Sequence, residues 1–190
     1  MFRHSQLFTA AILLSAASAQ AEQAANPNAA EAKALIKEFA TTLQGELQAA
    51  IKAGGPPEAI GVCKERAPAI AADLSKRSGW DVGRTSLKVR NQSLNQPDEW
   101  EVGVLESFEQ RKAAGEPVET MAFGEVVDVA GNKEFRFMKA IPTAEVCLAC
   151  HGSNITPETT AVLDREYPGD QARGFELGDI RGAFSLSKPL

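Results

Sequence analysis

The run Cys147-Leu148-Ala149-Cys150-His151 constrains this chain more than any other feature. Two thiols three residues apart fall on one face of a helical turn, and a histidine follows at once. The spacing matches both vinyl edges of one porphyrin, with the imidazole set beneath its iron. A domain with such a run has to fold around or against a large flat cofactor. Chance is a poor source of the pattern, since about 5 × 10⁻⁴ occurrences are expected at this composition and length. The other readings are weaker. A thioredoxin-like pair wants a βαβ setting, zinc wants four tetrahedral ligands, and a plain disulfide explains nothing about the histidine. The expectation is one covalent haem c, attached at Cys147 and Cys150, with His151 as the proximal iron ligand.

The N-terminus gives this chemistry a compartment. Arg3 and His4 precede an apolar run from Leu7 to Ala17, and Ala19-Gln20-Ala21 supplies a small-x-small cleavage signature. The run is too short to span a bilayer. Residues 1–21 therefore read as a signal peptide, 22–29 as a flexible leader, and 30–190 as a single haem-binding domain. No later stretch is apolar enough to cross a membrane, so no stable membrane insertion is expected after cleavage. The expected location is the oxidising periplasm, where c-type cytochrome maturation machinery would attach the haem. With 25 acidic residues against 20 scattered basic ones, the chain has no stripe that would track phosphates, and no nucleic-acid partner is expected.

Periodicity outlines the rest. Leu35, Phe39, Leu43, Leu47 and Ile51 recur every four residues, predicting a long N-terminal helix over Ala29–Ala53, stopped by Gly54-Gly55-Pro56. Ile60, Cys63, Ala67, Ile70 and Leu74 then form one stripe of a second helical region from Pro57, kinked or split at Pro68 and closed by Gly79. Trp80–Val89 reads as extended. Residues 95–99 open a helix that turns Trp100, Val104 and Phe108 inward and ends at Gly115. Residues 118–130 and 133–141 form a hairpin around Ala130-Gly131-Asn132, with Phe135, Phe137 and Ile141 alternating with Arg136 and Met138. Thr143 is placed as the cap of the cysteine turn, Thr156-Pro157-Glu158 opens a short helix, and residues 179–187 form a last strand. The predicted class is α+β, an antiparallel sheet with helices packed on it.

The second axial ligand narrows by elimination. His4 leaves with the signal segment, so His151 is the one histidine in the mature chain and bis-histidine ligation is excluded. Cys63, Met121, Met138 or no strong ligand stay open. Arg84, Arg90 and Arg136 are candidates to pair with haem propionates, although ordinary salt bridges are the commoner role for an arginine.

Several ordered motifs resemble one family. They are Ala59-Ile60-Gly61-Val62-Cys63, Ala67-Pro68-Ala69-Ile70-Ala71, Val82 through Asn91, Trp100-Glu101, Cys147 through Gly152, and Gly178 through Ser185. Together they resemble the Tll0287-like haem domain family over nearly all of residues 30–190. The resemblance implies a PAS-like fold that binds a c-type haem, often as the sensor part of a membrane signalling protein. It also implies that the helix cysteine, matched here by Cys63, is the axial ligand opposite His151. Between Arg90 and Pro97 the chain departs from the family pattern by one extra residue and a missing proline. The expected function is redox or small-ligand sensing rather than catalysis, through a separate redox or signalling protein partner. The alternative is a soluble c-type cytochrome that carries single electrons.

Overall fold

A computed structural model describes residues 26–190; the expected signal segment lies outside the described residues. The chain forms helix α1 (Pro27–Gly61), a π-helical turn (Val62–Arg66), α2 (Ala67–Ser78), β1 (Asp81–Thr85) and α3 (Glu99–Ala113). A 3₁₀ turn (Val118–Thr120), β2 (Ala122–Val129), β3 (Asn132–Pro142), α4 (Glu145–His151), α5 (Pro157–Glu166) and β4 (Ile180–Pro189) follow. The four strands form one antiparallel sheet in the order β1-β4-β3-β2. This is the α+β class, with a long N-terminal helix.

Helix α1 starts at Pro27, earlier than periodicity suggested, because Asn26 accepts the Asn28 N–H as an N-cap and proline suits the first turn. It breaks where the two glycines stand. Gly54 (φ −144°) and Gly55 (φ 74°) are non-helical, and Pro56 restarts the helix. The buried face is Ala29, Ala32, Ile36, Phe39 and Leu43 rather than the strict four-residue series. Steps of four drift about 40° around a 3.6-residue helix. Leu47 and Ile51 have therefore rotated out to half-buried positions.

Pro68 shapes the next segment. It has no N–H for the preceding turn and its ring crowds the carbonyl four residues back. The backbone widens just before it, and the Ala67 N–H reaches the Val62 carbonyl, five residues back. Cys63 sits in this wide turn. Such π-turns re-aim a side chain without ending the helix.

Both faces of the sheet are covered. Phe135, Phe137, Phe184, Leu186 and Val82 pack against α1 and α2. Met121, Met138, Ala140 and Ala183 pack against Val104, Leu105 and Phe108 of α3. Phe135 and Met138 are thus each within 1% of full burial, although they lie on opposite sides. The expected contrast of an apolar with a polar face on β3 fails because α3 roofs the second side. Helix α3 is fixed by a capping box between Asp98 and Glu101. Among the described residues, no helix is long and apolar enough to cross a membrane.

Candidate functional site

The cysteine run folds as α4. Ala144, not Thr143, occupies its N-cap position, and no side chain caps it. The Thr143 N–H is instead taken by the Asp179 carbonyl, tying the helix start to the entrance of β4 (2.7 Å). The segment Asp170–Phe175 lies along the motif as a strap. Its Gly174 N–H donates to the Gly152 carbonyl (3.1 Å) and its Phe175 N–H to the His151 carbonyl (2.9 Å).

Arg90 clamps strap and motif together. Its guanidinium binds Asp170 through two hydrogen bonds (3.0 and 3.1 Å) and donates to the carbonyls of Cys150 (2.5 Å) and Ala172 (3.0 Å). The Arg90 and Asp170 side chains are 7% and 1% exposed, so this is a buried ion pair with its polar atoms satisfied. Burial alone would raise the Asp170 pKa, but hydrogen bonds from Arg90 and Arg173 outweigh it and hold the carboxyl below its usual range.

His151 is oriented for ligation. Its Nδ1 lies 2.8 Å from the Ala172 carbonyl. A carbonyl can only accept, so the proton belongs on Nδ1 and Nε2 keeps its lone pair, which the Arg181 Nε–H (3.3 Å) and Arg90 Nη1 (3.5 Å) face. A hydrogen bond of this kind fixes metal-binding histidines in orientation and tautomer. Burial, with the charges of Arg181 and Arg90, pushes the His151 pKa well below its ordinary value, so the ring is neutral. Arg181 Nε approaches the ring at 3.0 Å, and Phe175 meets it edge-on with centroids 6.2 Å apart.

Cys63 comes to the same region from the other side of the chain. Ile60, one turn before it, packs with Leu163 and Tyr167 of the α5 segment and with Cys150. Lys64, one residue after it, bridges to Glu166 (2.5 Å). Cys63 lies within electrostatic range of Cys150, Tyr167, Arg84 and Arg181. All three cysteines are half-buried free thiols. Burial pushes the Cys150 thiol up, and the Tyr167 phenol rises to about 12 for the same reason.

The charges around this space do not balance. Arg84 sits 5.3 Å above the Phe39 ring, and its guanidinium has no carboxylate or hydrogen-bond partner among the described residues. Burial pushes its pKa down, and burial takes Arg181 down to about 10. Asp170 answers Arg90 and Arg173, which leaves Arg84 and Arg181 without an anion. Two uncompensated guanidiniums suit a cofactor that carries two carboxylates. With paired thiols on one turn, a neutral imidazole and an opposing thiol, the residues present fit a haem. Among the described residues, no three His, Cys, Asp or Glu side chains converge as the ligands of a bare metal ion would.

Other candidates fall elsewhere. Met121 and Met138 are buried under α3, on the far face of the sheet. Arg136 is on that face too, stacked on Trp100 (4.3 Å) and paired with Asp98 (2.7 Å). Sequence reasoning passed over Arg181, Tyr167, Phe175 and Asp170 as site residues. Arg181 was within reach, since it stands inside the Gly178–Ser185 motif. The other three come to the site only through the course of the strap.

The fold and site define a class: an α+β domain whose sheet end carries a strapped Cys-x-x-Cys-His turn facing a cysteine on a split helix. The chain belongs to the Tll0287-like family, whose profile matches residues 15–189. Among solved structures, the cyanobacterial heme-protein Tll0287 is similar, with a TM-score of 0.68 at 23% identity. That match covers 87% of this chain and 97% of the other. No curated protein sequence matches the chain.

Proposed function

We propose that this chain is a periplasmic haem c protein that serves in redox or small-ligand sensing. Cys147 and Cys150 would hold one haem through thioethers, and His151 and Cys63 would ligate its iron. The observation that carries the reading is the convergence of the strapped Cys-x-x-Cys-His turn, the π-turn cysteine and two arginines without a carboxylate partner in one region of the fold. The similarity of the fold to that of a heme-protein supports it. A haem there supplies a one-electron couple and, if one ligand leaves, a coordination position.

The chain's own residues divide the work. The Ala172 carbonyl holds His151 by its Nδ1–H, which would fix the imidazole toward a bound haem. Cys63 would be the more weakly supported of the two residues, since a π-turn is a less regular support than a hydrogen-bonded strap. Arg84 and Arg181 would neutralise the propionates. Catalysis is not proposed, because the mature chain has no second histidine for acid–base work. The partner is a redox or signalling protein on the same side of the membrane, and c-type maturation machinery makes the thioethers.

Absorption and spin-resonance spectra of ferric and ferrous protein test this reading. The expected result is a low-spin ferric protein with a thiolate signature, lost in Cys63→Ala, whose ferrous form binds carbon monoxide. A thiolate favours the ferric state. If that preference over a neutral ligand is about 4 kcal/mol, Cys63→Ala raises the potential by roughly 170 mV, on the relation of ~59 mV per tenfold. Ferrous protein that keeps six ligands and refuses carbon monoxide contradicts sensing and makes the chain an electron carrier.

A further inference from the structure

A separate cavity of about 280 Å³ opens between the end of β1, α3 and the start of β4. Leu105, Phe175 and Ile180 give it apolar walls, and Ser86, Lys88 and Glu109 line it with polar groups. None of the three cysteines, nor His151, is in its lining. Asp179 also borders it but is committed to Lys112 (2.5 Å) and to the Glu176 N–H (2.8 Å). Lys88 and Glu109 are different. Neither forms a salt bridge among the described residues, although the Lys88 charge also acts on Asp179; both are exposed, and the Lys88 ammonium rests 5.0 Å from the centroid of the Phe175 ring.

A cation and an anion outside any salt bridge, beside apolar walls in a single cavity, suit a ligand with both charges and a short apolar part. The volume stands near the lower limit for small-molecule sites, which restricts the ligand to a few heavy atoms.

The cavity also abuts the histidine. Ser86 Oγ donates to the Arg181 carbonyl (2.8 Å) and accepts from Arg181 Nη1 (3.2 Å). Arg181 lies 5.3 Å from the centroid of the Phe175 ring, and its Nε–H donates to His151 Nε2 (3.3 Å). An occupant resting on Ser86 and Phe175 therefore bears on the two groups that hold Arg181 against the imidazole.

We propose that this cavity binds a small aliphatic α-amino acid, and that its occupancy reaches His151 through Phe175 and Arg181. The carboxylate pairs with Lys88, the ammonium with Glu109, and the side chain lies on Leu105 and Ile180. This deepens the sensing reading, and only its final link depends on haem.

Calorimetric titration of the full holoprotein with glycine, alanine, valine and leucine tests it, with isovalerate and isoamylamine as single-charge controls. At least one amino acid is expected to bind and to raise Tm, with both controls at least about tenfold weaker. Lys88→Gln and Glu109→Gln are each expected to weaken binding about tenfold, with the unliganded melt unchanged because both side chains are exposed. No binding by any amino acid in the panel, or equal binding by the controls, overturns the site. The link to His151 is read as a shift of the haem absorption on saturation, which Arg181→Lys abolishes while binding persists. Binding without that shift in the wild-type protein overturns the link. Loss of the haem reading alone would leave the calorimetric result standing, so the two failures are distinguishable.

Discussion

Asp170 shows how much of the site rests on a residue that carries no cofactor chemistry of its own. Its carboxylate holds Arg90, and Arg90 in turn holds the carbonyls of Cys150 and Ala172, the second of which orients His151. Asp170→Asn leaves a buried guanidinium half-answered, and removing one partner of such a pair costs about 3–5 kcal/mol. A chemical-denaturation midpoint checks that magnitude. The same pair predicts a pH response with a definite sign. The Asp170 pKa is depressed below the usual 3.8 in the folded state, so the unfolded chain takes up the proton first. Its contribution is complete above about pH 4 and is lost as pH falls through the lower folded value. Acid unfolding of the wild type should therefore be steeper below pH 4 than that of Asp170→Asn, which lacks the titrating group; parallel curves would remove Asp170 from the account. Cys147, Cys150, His151 and Cys63 were legible as candidates because local spacing and residue chemistry mark them. Asp170 and Tyr167 were not, because an ordinary acid and a lone tyrosine acquire meaning only from partners that arrive from distant parts of the chain.

At the level of elements, the breaks were easier to read than the faces. Gly54-Gly55 and Pro68 interrupt helices for local steric reasons, and each interruption lies where the residues place it. The faces of β3 depend on what covers the sheet. Strand alternation alone could not foresee that α3 would bury Met138 as deeply as α1 buries Phe135. Thr143 misled for a related reason: its N–H is claimed by Asp179, which lies far along the chain in a loop before β4. The start of β4 is the element most exposed to a single change. A register shift at Ile141/Pro142 lets Gly182 (φ 153°) sit directly under the β1 backbone, and its neighbour Arg181 is thereby aimed at His151. A Cβ at 182 would strike the Thr85 carbonyl and crowd Ser86. Gly182→Ala should cost about 2–4 kcal/mol in a thermal or denaturant melt, from backbone strain plus overpacking. Wild-type stability in that variant would mean that β1 is free to move away from β4.

For the whole molecule, the two halves of the site come from opposite ends of the fold: a split helix on one face of the sheet, and a strapped turn beyond β3. The α+β class and the long first helix were readable from periodicity. Their meeting at Cys63 was not, because it depends on the packing of Ile60 against Leu163 and Tyr167. A cofactor held between such halves is part of the core, and Arg84 and Arg181 lack an anion without it. Haem-free protein should therefore melt well below the loaded form, since a group bound only to the folded state adds its binding energy to stability. Coincident melts would place the group at the surface. The central claim is that Cys147 and Cys150 hold one haem covalently, and the most direct test is the intact mass of the denatured protein after expression with c-type maturation machinery. One haem adduct per chain is expected, surviving acid and organic extraction and reduced to a single thioether link in either cysteine-to-serine variant. An unmodified polypeptide mass under those conditions would contradict it.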